Sequence, residues 1–129
     1  MKNSTFTIRG LLIATGVIAF SLALLMYVLP KDPFSGRNFD RAVWMEFAND
    51  YVDDNPSGAM VQDIQQRHLV TGMSRAEVIE LLGEPESVYQ NGDFSYIVGM
   101  WSGFRIDHDG LEIYFDQHGK LTDSACVQY

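Results

Sequence analysis

The first pattern in the chain is an unbroken apolar run. Gly10–Leu29 reads GLLIATGVIAFSLALLMYVL, twenty positions without a charge. At ~1.5 Å rise per residue such a helix is about 30 Å long, the thickness of a bilayer's hydrocarbon core, so the pattern predicts a transmembrane helix. Thr15 and Ser21 can bond back to carbonyls of their own helix. Tyr27 falls near the distal end, where aromatic rings favour the interface, and Pro30 cannot continue the backbone ladder. A cleaved signal peptide would show a shorter apolar core and small residues at a cleavage site. Leu25–Pro30 offers no such site, which favours a retained anchor.

The pattern then changes to an amphipathic one. Lys31–Arg37 (KDPFSGR) is rich in turn formers and reads as a linker. Phe39, Val43, Phe47 and Tyr51 recur at every fourth position and predict one apolar helix face, with Asn38 or Asp40 as the cap. Asp53–Pro56 ends it. A second helix is expected over Ala59–Leu69, with Met60, Ile64 and His68 on one face and Asp63 and Arg67 as an i,i+4 pair on the wet side. At Met73–Pro85 (MSRAEVIELLGEP) the local markers agree. Ser74 and Glu77 form a capping box and Met73 and Val78 a hydrophobic staple. Val78, Leu81 and Leu82 supply the buried stripe, and Gly83 and Pro85 stop the helix.

After Pro85 the period becomes two. Ser87–Gln90 and Phe94–Met100 are strand candidates joined by Asn91-Gly92, a strong type I′ hairpin turn. Leu111–Phe115 and Lys120–Val127 are joined by a turn at Asp116–Gly119. Leu111, Ile113 and Phe115 alternate with Glu112 and Tyr114, predicting one buried and one wet face. Trp101–Gly110 reads as an irregular connection. The expected fold class is α+β: an N-terminal transmembrane helix followed by a small two-layer domain, two to three helices on a three- to four-stranded antiparallel sheet. The expected division is a basic N-terminus at 1–9, the helix at 10–29, a linker at 30–37 and an acidic domain at 38–129.

Charge narrows the partners. All 17 Asp and Glu lie at or after Asp32, against 7 Lys and Arg from Lys31 onward, a formal balance of 7 − 17 = −10. Phosphate backbones repel such a surface, so nucleic acid is not the expected ligand. Lys2 and Arg9 precede the apolar run, while Lys31, Arg37 and Arg41 follow it, so the charge bias that orients membrane helices is nearly balanced. The short basic N-terminus resembles a signal-anchor. That predicts a single-pass protein of the cytoplasmic (inner) membrane with its C-terminal domain extracytoplasmic. Cys126 is the only cysteine, which rules out an internal disulfide and a lipid anchor on a cysteine following the apolar run.

The stretch Leu69–Pro85, LVTGMSRAEVIELLGEP, has the form L-x-x-G-M-[ST]-x-x-E-V-x-x-L-L-G-x-P. It is followed by Tyr96-Ile97-Val98-Gly99 and by L-x-I-x-F-D-x-x-G-K-L at Leu111–Leu121. This order resembles the SmpA/OmlA, or BamE-like, family of small envelope proteins, over roughly residues 60–127. The resemblance implies two helices packed on a three-stranded antiparallel sheet, and a role in bracing an envelope assembly. A similar fold also occurs in inhibitors of β-lactamases. The chain departs from the family's lipoproteins in lacking the lipid-bearing cysteine and in the added helix at Phe39–Tyr51.

Catalytic and metal chemistry find little footing. Asp107-His108-Asp109-Gly110 starts like a calcium loop, but its Gly falls at position 4 rather than 6, and position 12 is His118 rather than Glu. His68, His108 and His118 lack a short metal spacing. No nucleophile sits in a recognisable elbow and no glycine loop cradles a phosphate. The expectation is a non-catalytic protein-interaction module without cofactor, metal or small-molecule substrate. The alternative is an inhibitor or immunity-type protein that covers a basic enzyme. The candidate partner-binding residues are Trp44, Trp101, Phe104 and Arg105, because Trp and Arg are enriched at binding hot spots.

Overall fold

A computed structural model describes residues 8–29, 32–101 and 106–129, apart from the side chains of Ile8, Arg9, Leu11 and Leu12. The chain divides into two compact units, residues 1–31 and 32–129.

In the first unit, α1 covers Ile8–Val28. Its described apolar side chains are all exposed, from 52% at Leu24 to 83% at Tyr27. The expected transmembrane helix at 10–29 needs correction, because among the described residues no helix is long and apolar enough to cross a membrane. The stop expected at Pro30 lies outside the described residues, as do Lys2 and Lys31.

Residues 32–129 form a small α+β domain with a four-stranded antiparallel sheet. The expected linker is part of it. The Phe34 amide is held by the Asp32 carboxylate at 2.9 Å, its ring packs on the core, and its carbonyl accepts from Gln62 N at 2.9 Å. Helix α2 is Arg41–Phe47, capped by Asp40, whose carboxylate accepts from the amides of Ala42 and Val43. Phe39 precedes this helix and Tyr51 follows it, so the four-residue spacing does not describe one helical face. The helix ends because Asn49 turns to φ +66° and pairs with the sheet. Its N–H donates to the Ile97 carbonyl at 2.9 Å, and its side-chain oxygen accepts from Ile97 N–H at 3.0 Å. A long-range pairing overrides the local period.

The second expected helix is three different turns in succession: a 3-10 turn at Gly58–Met60, α3 at Val61–Asp63, and a π-turn at Ile64–His68. The last is closed by Leu69 N–H to the Ile64 carbonyl at 2.9 Å. Helix α4, Arg75–Leu82, carries the capping box. Ser74 N–H donates to Glu77 Oε2 at 2.7 Å, and Glu77 N–H donates to Ser74 Oγ at 3.2 Å. Gly83 closes it at φ +81°, a conformation that favours glycine.

Strands β1 (Ser87–Val88), β2 (Phe94–Ile97), β3 (Asp109–Phe115) and β4 (Leu121–Gln128) follow as a meander in that spatial order. The first hairpin turns over three residues, Gln90–Gly92, between Tyr89 and Asp93; Gly92 alone has positive φ, +86°, so the turn is not the expected two-residue type I′. Trp44, Met60, Ile64, Val78 and Leu82 from the helices meet Phe94, Tyr96, Val98, Leu111 and Ile113 from the sheet in one buried cluster. The outer edge of β4 is closed at two points. Leu121 bonds to Gly72 and Met73, and the Ser124 carbonyl accepts from Gln65 Nε2 at 3.2 Å while its amide is capped by Asp123. Such closures blunt pairing with other strands.

Candidate interaction surface

The strand period of two places Ser95, Ile97, Gly110 and Glu112 on the face turned away from the helices. That face is not wet, contrary to the alternation at β3. Ser95, Ile97 and Glu112 are 3%, 3% and 4% exposed. The reason is a set of rings laid across it. Ser95 and Ala125 flank Glu112 on the neighbouring strands, and these small residues leave the carboxylate reachable from above. Gly110 makes room for the ring of Tyr129, since a Cβ there would stand 2.9 Å from Tyr129 Cε2.

Tyr129 is brought in by the last hydrogen bond of the β3–β4 ladder, from its N–H to the His108 carbonyl at 3.0 Å. Its hydroxyl donates to Glu112 Oε1. The Tyr89 hydroxyl lies 2.6 Å from that of Tyr129 and 3.5 Å from the same carboxylate oxygen. The Tyr129 ring stacks on His108, centroids 4.6 Å apart and 20° between planes. On its other side His108 meets Tyr51 edge-on at 5.2 Å, and its Nδ1 lies 3.2 Å from Asp107 Oδ1. The result is a continuous row, Tyr51–His108–Tyr129–Tyr89, whose three tyrosines are 48%, 41% and 41% exposed.

Burial, reinforced by the hydrogen bonds to Glu112 and Tyr89, pushes the Tyr129 phenol above the usual tyrosine range. It therefore stays protonated at neutral pH and keeps donating into Glu112. Both phenols are tied to one buried anchor, so their rings are held rather than free to rotate. Rigid, half-exposed tyrosines present a large amphipathic area at low entropy cost, the chemistry of protein contact surfaces. Around the row the surface is acidic, with Asp50, Asp53 and Asp54 beside Tyr51 in the chain and Asp107 beside His108, all exposed.

The residues expected to bind a partner are placed differently. Trp44 is fully buried, its indole N–H donating to the Leu82 carbonyl at 2.8 Å and its ring lying between Phe39 and Tyr96. It has no surface to offer while the domain is folded. Trp101 is half-buried. Its indole N–H donates to the Val98 carbonyl at 2.8 Å, and its amide to Asp109 Oδ2 at 2.6 Å. It sits against Gly58, where an added Cβ would stand 2.1 Å from Nε1. Phe104 and Arg105 lie outside the described residues. Sequence reasoning missed Tyr89, His108 and Tyr129, and assigned Tyr51 to a helix face. The only local signal was the glycine before Leu111, and its meaning depends on strand register.

Two further groups bear on chemistry. Cys126 is packed against the core, and burial, with Asp109 and Asp32 adding to it, pushes its thiol up to about 12. Among the described residues no three His, Cys, Asp or Glu side chains converge as metal ligands. No family model matches this chain, and neither a curated protein nor a solved structure matches it. The likeness to the SmpA/OmlA family rests on motif order alone.

Proposed function

We propose that residues 32–129 are a non-catalytic interaction module that binds a basic protein surface through the Tyr51–His108–Tyr129–Tyr89 row. The observation that carries this reading is the row itself: half-exposed rings, two of them tied to the buried Glu112 carboxylate. The fixing matters because rings ordered before binding lose less entropy on association. The charge supplies the partner's chemistry, since all 17 acids lie in this part of the chain. An acidic surface speeds and selects association with a basic one. Two kinds of partner fit: a component of an envelope assembly, which the motif resemblance supports, and a basic enzyme held inactive, which the acid excess supports.

The test is a photoreactive residue placed at position 51 in the native cells, with position 70 as the control. Val70 is exposed and follows the π-turn, outside the row. The proposal expects one adduct specific to position 51, with a basic protein whose binding to the purified chain weakens steeply with salt. Identical adducts at both positions, or a complex indifferent to salt, would overturn it.

A further inference from the structure

An open cleft of about 230 Å³ lies away from any residue of the aromatic row, lined by Arg37, Asn38, Gln62, Asp63, Gln66 and Arg67 together with Gly36. We propose that this cleft binds a small molecule through a carboxylate or phosphate group, held between the guanidinium groups of Arg37 and Arg67.

The lining is polar and rich in hydrogen-bond donors. Two arginines and three amide residues line it, and of the chain's 17 acids only Asp63 takes part. Asp63 is already engaged. Its Oδ2 accepts from Phe39 N–H at 2.8 Å and lies 3.3 Å from His68 Nε2, while its Oδ1 pairs with Arg67 at 3.0 Å. The carboxylate is thus spent on holding Arg67 in place, and its charge is balanced within the wall. The Arg67 guanidinium held this way, with that of Arg37 across the cleft, presents paired N–H donors that match the two oxygens of a carboxylate or phosphate.

Backbone geometry builds the rest. The Arg37 amide donates to the Ala59 carbonyl at 3.2 Å, which fixes its Cα at the rim. Among the described residues its side chain has neither a hydrogen bond nor an ion pair. The π-turn carries Gln66 and Arg67 and brings His68, at i+5, onto Asp63 beside Arg67 at i+4. Single π-turns are rare and recur at functional sites. The volume is below the ~300–1,000 Å³ of sites for drug-sized ligands, which points to a small polar molecule.

The experiment is calorimetric titration of the full chain at low ionic strength with sodium phosphate and, separately, sodium succinate. Arg37→Gln, Arg67→Gln and the double variant are titrated alongside. Both arginines are exposed and their substitution leaves the core untouched, so unchanged melting curves check the fold. One saturable site is expected for at least one probe. Each single variant should weaken it about tenfold, the loss of one charge-assisted hydrogen bond, and the double variant should abolish it. Phosphate alone or succinate alone identifies the source of the oxyanion, and either supports the proposal. Absence of saturable binding of both probes up to about 50 mM, or equal binding by the double variant, overturns it. Tyr51→Ala should leave this binding unchanged, which separates its failure from that of the interaction surface.

Discussion

Replacing Trp44 by phenylalanine distinguishes a core residue from a surface contact. The indole N–H meets the carbonyl of Leu82 at 2.8 Å, and that carbonyl belongs to the last turn of α4, where no intrahelical donor remains. Phenylalanine removes the hydrogen bond and leaves the carbonyl unsatisfied in a dry site, at a cost of about 1–3 kcal/mol. The smaller ring also leaves roughly 40 Å³ unfilled, which adds about 1 kcal/mol at ~24 cal/mol per Å³. Trp44→Phe should therefore destabilise the domain by about 2–4 kcal/mol, a large part of the 5–15 kcal/mol typical of a domain. For a domain of this size that lowers the melting temperature by roughly 10–25 °C. Thermal and urea unfolding of the full chain, followed by far-UV circular dichroism, reads this directly. A melting temperature within about 2 °C of wild type, together with lost partner binding, would refute the reasoning.

Three further outcomes follow from the geometry. Gly58→Ala must displace Trp101, whose indole nitrogen would stand 2.1 Å from the new Cβ; the expected cost is about 1–3 kcal/mol, with a red shift of tryptophan emission, and an unshifted spectrum would count against the packing. Cys126, with its thiol pushed up to about 12, should react with a thiol reagent at pH 8 at least a hundredfold more slowly than free cysteine and recover normal reactivity in urea, since only about one thiol in ten thousand is ionised. Acid should weaken the fold with a defined sign. The Phe39 amide holds the Asp63 carboxyl below its ordinary 3.8, and the Ser74 amide holds Glu77 below 4.5. The unfolded chain then binds more protons than the folded one in that window, so stability is complete above those values and falls as pH drops through the folded ones. The urea midpoint should decline below pH 4.5, and less so in Asp63→Asn and Glu77→Gln; equal declines in all three proteins would contradict the assignment.

What could be read in advance was what short-range chemistry decides. The Ser74–Glu77 box, the Gly83 stop and the Asn91-Gly92 turn depend on groups within four residues of one another. The box and the stop are found at their places, and the turn falls there too, though over three residues with only Gly92 at positive φ. The rest depended on partners far along the chain. The spacing from Phe39 to Tyr51 suggested a helix of three turns, but Asn49 leaves it to bond Ile97, 48 residues away. The π-turn at Ile64–His68 has no composition of its own to announce it. Glu112 looked like an exposed position in an alternating strand. Only the register that sets it beside Ser95 and Ala125, and the glycine that admits Tyr129, make it a buried anchor. Trp44 and Trp101 were legible as unusual residues, yet aromatic rings fill cores and coat interfaces for the same reason, their large apolar area.

The central claim is that Tyr51, at one end of the aromatic row, contacts a basic partner directly. The decisive measurement is the dissociation constant of the partner trapped at position 51, compared between the wild-type chain and Tyr51→Ala at two salt concentrations. Tyr51 is 48% exposed, lies outside the buried core cluster and meets His108 edge-on, so the variant should keep its melting temperature. The account predicts affinity weakened about thirtyfold, as for a hot-spot tyrosine worth ~2 kcal/mol, and weakened again by salt in both proteins. An unchanged dissociation constant in the folded variant would contradict it.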